Sequence, residues 1–465
     1  MAPKPNPGAS LNGRRIAVVG GGLAGQAAAV RVARDGGHPV LLEKRPFLGG
    51  RAFSFVDRET GVEVDNGQHV FVGACVQYQE FLKEVGAWSN VRLPRRLDAP
   101  VLLNGRISRL KSSNLPGPLA NLPALLRYGH LSVSGKMRLL YGLMRIRLAK
   151  RYPGGPLERE TFDAWLRRHS QNDETIDRFW NLIVLPSLND NVRDVSADAG
   201  VMLFQVALLG RPSNAAIGVS SVGLSALTGG PVQEYIEARG GEVRTGSEAR
   251  CIELKNGVAA GIRLASGEVL HADSVIIALP SANMLGILPA DLAKSAFFSV
   301  ASKVETAPIV GVHIWYDRPV LEHDFIAVLD GPLQWVFNVT NLQHADDGEG
   351  QHVVISLSGA WQWRDQSKAE LRETFVTEMA RAFPAARSAK VTRFLVIKML
   401  DATFRVRPGS TQHRLPQQTP VKNLFLAGDW TDTGWPSTME SAVRSGNMAA
   451  KAALEIIPDQ ATADA

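Results

Sequence analysis

Residues 16–25 read IAVVGGGLAG. A short apolar run, Ile16 to Val19, meets glycines at 20, 22 and 25, and a helical pattern, QAAAVRVARDG, follows. In a GxGxxG turn between strand and helix, Gly20 permits the tight turn and Gly22 lets backbone N–H groups approach a pyrophosphate. Gly25 lets the helix pack close to the strand. The helix start then faces the phosphates with its positive dipole end. The next β-like run, HPVLLEK, carries Glu43, placed where an acid accepts hydrogen bonds from an adenosine ribose. The competing reading is a glycine-rich turn in an unrelated α/β unit.

Residues 43–52, EKRPFLGGRA, separate flavin from nicotinamide. A second glycine pair just after the ribose acid is more than a nicotinamide domain requires. Gly49 and Gly50 let the chain come close to the dinucleotide, and Arg51 offers a forked cation to phosphate. Near the other end, VKNLFLAGD (421–429) reads as a buried strand running into Gly428, with Asp429 at its carboxyl end, where open α/β sheets bind ligands. The segment GDWTDTGWPSTMESAVRSG (428–446) continues as a loop and then, from Met439, an amphipathic helix with free N–H groups at its start. One strand–loop–helix unit serves adenosine and pyrophosphate. The other serves the flavin, with Asp429 near the ribityl-pyrophosphate and the Met439 helix at the pyrimidine edge; the bland alternative is a helix that only completes packing. Between them, residues 240–281 alternate as strands with turns at Asn256-Gly257 and Ser266-Gly267. This fits a β-ribbon and returning strand, with backbone near Ala249 touching adenine.

At 465 residues the chain exceeds what one core usually serves, so two domains are expected. Cys75 and Cys251 form no CxxC pair, which argues against a zinc site or a disulfide framework. The start, MAPKPNPGASLNG, is polar and proline-rich; it reads as a disordered tail over 1–12 without a secretory h-region. No stretch of about 18 apolar residues marks a membrane span. A cytoplasmic protein, with membrane association open, is the expectation. Net charge is +6, and residues 100–157 contain no Asp or Glu. There, basic residues interleave with LPALLRY and RLLYGLMRIRL, a pattern suited to an anionic membrane surface near 100–151. A helical subdomain with a solvated basic face reads equally well. Nucleic acid is not expected, since no binding motif accompanies the charge.

Together GGGLAG, LEKRPFLGGRA, VDNGQHVFVGA and NLFLAGDWTDTGWPSTMESAVRSG resemble the FAD-dependent amine oxidase and phytoene desaturase superfamily. NGQHVFVGA is similar to plant-type phytoene desaturases, and the 428–446 string to bacterial hydroxysqualene dehydroxylases. The resemblance implies a Rossmann-type α/β FAD-binding domain, a parallel sheet plus β-ribbon, interleaved with a mixed α+β substrate domain. The expected boundaries are 13–75, 236–300 and 396–465 for the FAD domain, and 76–235 and 301–395 for the substrate domain. Implied FAD contacts are Gly20, Gly22, Gly25, Glu43, Lys44, Gly50, Arg51, Gly67, Gln68, His69, Asp429 and Met439, joined by Gly428 and Ala249 from the readings above. Amine oxidases usually keep a lysine near flavin N5 on a strand resembling APIVGVHIWYDRPV. That position falls near Gly311, which argues against amine oxidation.

The resemblance further implies an apolar isoprenoid substrate and reductive dehydroxylation of hydroxysqualene to squalene. Such a reaction needs a protonated leaving hydroxyl, a cation shielded from water, and hydride from the cofactor. Asp65 and His69 are the first candidates for the general acid, Asp432 and Glu440 the second. Each also has a structural reading: a hydrogen bond holding the loop for His69, turn capping for Asp65 and Asp432, dipole complementation for Glu440. Trp165, Phe179, Trp180, Leu182, Ile183, Leu185 and Pro186 are apolar candidates for a tunnel or a core, and FNVTNL and VVISLSGAWQW look like strands. The alternatives are a carotenoid desaturase, which needs no acid for a leaving hydroxyl, and a non-enzymatic prenyl-lipid carrier on the same scaffold. Oligomeric state is not legible.

Overall fold

In the computed structural model, which describes residues 13–57, 61–343 and 350–455, the opening stretch forms strand β1 (Arg15–Val19), a glycine turn and helix α1 (Leu23–Arg34). Strands β2 (His38–Leu42), β3 (Glu242–Arg244), β4 (Ser274–Ile277) and β5 (Leu424–Leu426) complete a five-stranded sheet in the order β3-β2-β1-β4-β5. All its pairings are parallel. Strands β1, β4 and β5 are almost wholly buried, which is why they read as unbroken apolar runs. The helix α2 (Met439–Leu454) lies against α1, so segments far apart in sequence meet in one layer. The tail expected over 1–12 lies outside the described residues.

The ribbon follows from its turns. Strands Ala249–Lys255, Val258–Leu264 and Val269–His271 pair antiparallel. Asn256 and Gly257 take φ of 53° and 77°, the backbone a tight hairpin turn demands. The chain then returns to the main sheet as β4.

A second, seven-stranded sheet is mixed. Its order is Val391–Phe404, Thr306–Tyr316, Gln351–Leu357, Gln334–Asn338, Phe325–Val328, Asp98–Leu103, Arg106–Lys111. One face buries Val310, Val312 and Ile314 against Leu371, Phe375 and Met379 of the helix Lys368–Ala382. Helices between 122 and 207 close the other side around Phe162, Trp180 and Phe204, whose rings meet at 4.7–6.0 Å. This α/β architecture with a mixed second sheet agrees with the expected fold class.

Several boundaries shift. The expected break at 396 falls inside the strand Val391–Phe404, which stays with the second sheet to Phe404. The helix Val76–Glu84, assigned to the substrate side, packs Tyr78, Phe81 and Leu82 into the same core as α1 and α2. The break at 236 falls inside the helix Gly230–Glu237, which joins that core through Val232, Tyr235 and Ile236. FNVTNL is a strand only to Asn338. The Asn338 side chain accepts from the Asn341 N–H at 3.1 Å, which turns the chain into the short helix Val339–Gln343.

Candidate functional site

The first half of the site is the junction of two glycine loops. A methyl on Gly25 would lie 1.9 Å from the Gly20 carbonyl oxygen, so only glycine lets α1 start this close to β1. Gly22 precedes α1 without any side-chain cap, leaving the first-turn N–H groups free for a ligand. The second loop is bound beside it, the Gly49 N–H donating to the Gly21 carbonyl at 2.9 Å. A methyl on Gly22 would meet only the Gly50 Cα, at 3.7 Å, so a smooth cradle lies over the helix start. Glu43 is buried at the end of β2. Its carboxylate accepts from the Gly21 N–H at 2.7 Å and the Arg45 N–H at 2.9 Å, with lone pairs left for a ribose diol. Lys44 is exposed. Ala249 is half-buried; Gly246 and Ser247, just before it, bond the backbone of Arg45 and Glu43 at 2.9 Å.

The second half comes from the other end of the chain. Asp429 is buried, and Arg51 and the Ser437 hydroxyl both donate to its carboxylate. Arg51 also donates to the Ala402 carbonyl at 3.0 Å, so its fork is spent on protein groups, with an edge left exposed; sequence reasoning had given it to phosphate alone. The Gly428 N–H donates to Ser445 Oγ at 2.8 Å, tying the strand end to α2. Thr438 caps α2, accepting from the Ser441 N–H at 3.1 Å, and half-buried Met439 begins it. Arg414 holds the loop, donating to the carbonyls of Asp429, Trp430 and Thr431 at 2.6–3.3 Å; burial lowers its pKa to about 10. Nothing around Arg414 in the sequence signals this role. Ser437 and Ser445, by contrast, stand in the quoted 428–446 string.

The turn VDNGQH joins the halves. Asn66 is buried; its side chain donates to the Arg51 carbonyl at 2.8 Å and accepts from the Phe53 N–H at 3.2 Å. Gly67 then lies against the second sheet, its Cα 3.7 Å from where a methyl on Gly311 would stand. On that sheet face Gly311 pairs with Ile397, Ile309 with Met399 and His313 with Leu395. The wall beside Gly67 therefore lacks a lysine; it is apolar at Ile309, Leu395, Ile397 and Met399 and carries the His313 ring, whose Nε2 lies 3.6 Å from where a methyl on Gly311 would stand. Gln68 and His69 are half-buried there.

The four candidate acids have different hydrogen-bond partners. Glu440 is fully buried and accepts from the Gln77 and Tyr78 N–H groups at 3.3 and 2.8 Å, and from Arg444 at 2.7 Å. It caps the helix Val76–Glu84, so its expected acid role is corrected to a structural one. Asp432 is exposed and accepts from the Gly434 N–H of its own loop at 3.4 Å, as turn capping expects. Asp65 accepts from Ser54 Oγ at 2.7 Å, the Leu224 N–H at 2.9 Å and Gln343 at 2.7 Å. Burial raises its pKa against those three bonds. Burial lowers the His69 pKa to about 4, so near pH 7 its ring is neutral and carries no spare proton. Sequence reasoning missed a buried histidine pair that begins on the wall itself. His313 Nδ1 and His352 Nε2 lie 3.1 Å apart, and burial with the Arg393 cation lowers the His313 pKa to about 3. The tunnel candidates divide: Trp165, Phe179, Trp180 and Leu182 are core, Ile183 and Leu185 are half-buried, and Pro186 is exposed.

Comparison with known proteins decides what this cradle serves. The profile of the flavin containing amine oxidoreductase family matches residues 23–454. The chain belongs to that family. It is a flavin-dependent oxidoreductase, and FAD is its cofactor. The residues fit the group: an uncapped helix start, a cradle without Cβ atoms and an acid at the ribose position. Among relatives, 15-cis-phytoene desaturase of Capsicum annuum is 27% identical over 466 residues, 95% of this chain and 78% of that one. Zeta-carotene desaturase of Synechocystis is 27% identical over 480 residues, 95% of this chain and 97% of that one. An oxidoreductase structure from Methanosarcina mazei has a TM-score of 0.73 at 21% identity, covering 94% of this chain and 100% of that one.

Proposed function

We propose that this flavoprotein desaturates an acyclic, apolar isoprenoid of the carotenoid-precursor type, forming C=C bonds along the chain. The observation that carries this reading is the wall at Gly311. A lysine-free position faces Gly67, flanked by half-buried Ile309, Leu395, Ile397 and Met399 and by the buried, neutral ring of His313. An apolar chain is accepted by such a wall, whereas a cationic amine finds no counter-charge on it. FAD, when bound, supplies the hydride exchange. The chain's own residues hold and shape. Gly20, Gly22, Gly25 and Glu43 hold the adenosine and pyrophosphate end, while Asp429, Arg51 and the start of α2 hold the other. The apolar wall positions the substrate and excludes water. The burial of Glu440 under three hydrogen bonds and the neutral His69 ring suit desaturation, which needs no proton for a departing hydroxyl. The desaturase relatives support the same direction.

A second reading is reductive dehydroxylation of hydroxysqualene. It is favoured by the likeness of residues 428–446 to hydroxysqualene dehydroxylases and by Asp65, a carboxyl whose pKa burial raises. Product analysis separates the two. The oxidised holoenzyme is given phytoene or ζ-carotene in vesicles with a quinone acceptor, and the reduced holoenzyme is given hydroxysqualene. Loss of paired hydrogens from the polyene supports desaturation. An unchanged polyene, with hydroxysqualene converted to squalene, replaces it with the second reading.

A further inference from the structure

The helix Val133–Leu148 is apolar on two opposite sides. Its inner face buries Gly135, Leu139, Gly142, Leu143 and Ile146. Its outer face carries Val133, Met137, Tyr141, Met144 and Leu148, exposed by 80, 63, 40, 48 and 64%. At about 100° per residue these five fall within a stripe roughly 80° wide, opposite the buried face. Lys136 and Arg147 run along one flank of the stripe, and Arg138 and Arg145 along the other.

Single exposed apolar residues are ordinary; their concentration here is not. Of the 18 large hydrophobic residues exposed among the described residues, 10 lie between Ile107 and Tyr152. Leu115, Leu119, Leu126 and Tyr152, in the segments flanking the helix in sequence, are exposed as well. The charge is as one-sided. Arg151, Arg109 and Lys111 are matched by Asp198 and Asp98. Arg127, Lys136, Arg138, Arg145, Arg147 and Lys150 form no ion pair with a described residue. Glu174, the nearest acid at the helix start, is engaged by the Ser132 N–H and hydroxyl at 2.8 Å.

We propose that this helix docks on an anionic lipid bilayer, lying in the interface with the Val133–Leu148 stripe among the acyl chains. Cations on both flanks, with aliphatic stems beside the stripe, suit headgroups on either side of a helix lying flat. An acidic protein groove would need to match that symmetry along the whole helix, whereas a bilayer supplies it everywhere. The inference rests on the surface alone and stands apart from the choice of substrate.

The test is co-sedimentation of the full-length holoenzyme with vesicles rich in phosphatidylglycerol, against pure phosphatidylcholine. The expected result is binding to the first, at least tenfold weaker binding to the second, and release by salt. M137D/M144D, both exposed, should lower affinity at least tenfold with FAD content and thermal midpoint unchanged. K136E/R147E should lower it on anionic vesicles only. Failure of the wild-type protein to bind anionic vesicles at low salt would overturn the proposal, as would equal binding by M137D/M144D. A concentration-dependent dimer that M137D/M144D dissolves, without vesicle binding, would overturn it in favour of a second copy.

Discussion

Gly446→Ala adds one methyl where α1 and α2 touch. Built on the backbone, that methyl would lie 2.2 Å from the Ala24 carbonyl oxygen, 2.9 Å from the Ala28 nitrogen and 3.0 Å from the Ala27 Cβ. The first two neighbours are backbone and cannot rotate away. Normal carbon–oxygen contact requires about 1 Å more, so α1 and α2 must part by roughly that distance. A gap of 0.5–1 Å forfeits about a quarter to a half of each dispersion well along the seam, and overpacking of this kind costs about 1–3 kcal/mol. The two helices present their starts to the two halves of the cofactor site, so much of the cost should appear in FAD binding. About 1.4–2.8 kcal/mol corresponds to a tenfold to hundredfold weaker Kd. Flavin fluorescence on titrating apoprotein measures it, and a thermal midpoint lowered by roughly 2–10 °C should accompany it. Ala449→Gly on the same helix, which removes a methyl instead, should leave FAD affinity within about threefold. An unchanged Kd and midpoint in Gly446→Ala would refute the claim that this contact sets the spacing of the site.

Arg51→Ala leaves the buried Asp429 carboxylate without its cation. Since Arg51 is partly exposed, a cost of about 1.5–3 kcal/mol and a tenfold to hundredfold loss of FAD affinity are expected by reconstitution. Glu440→Gln should cost about 3 kcal/mol in urea unfolding, as a broken buried pair does. Turnover per bound flavin should stay within about twofold; a collapse of turnover would restore Glu440 as an acid. His69 and His313 have folded pKa values of about 4 and 3, below the unfolded value near 6.5. The unfolded chain therefore binds more protons as pH falls from about 6.5 to 5, and stability must fall in that window. The urea midpoint should drop there, and less steeply in His313→Gln; a flat wild-type profile contradicts the burial of these rings.

What the sequence made legible was local. The glycines at 20, 22 and 25, the strand before Gly428 and the Asn256-Gly257 turn each state their geometry within a few residues. Glu440 was misread because its partners, the amides of Gln77 and Tyr78, are 362 or more positions away. Its acidity at a helix start resembled a catalytic group but serves another helix's orphan N–H groups. Arg414 was invisible for the same reason, as its carbonyl partners are defined only once the 429–433 loop has folded. Asn338 hid a helix start inside an apparent strand. The aromatics at 165, 179 and 180 looked alike as core or tunnel, and only their mutual packing distinguishes the two. That position 311 is a glycine and not a lysine is plain in the sequence, but its closeness to Gly67 and its neighbours required the register of two strands.

The most direct measurement follows the flavin spectrum anaerobically. Oxidised holoenzyme is mixed with a polyene in anionic vesicles, without any other acceptor, and the loss of oxidised-flavin absorbance is compared with product by mass spectrometry. Desaturation at this site predicts bleaching with one new C=C bond per flavin, and no product from apoprotein. Oxidised flavin that persists with every polyene, while reduced flavin is reoxidised by hydroxysqualene, would contradict it.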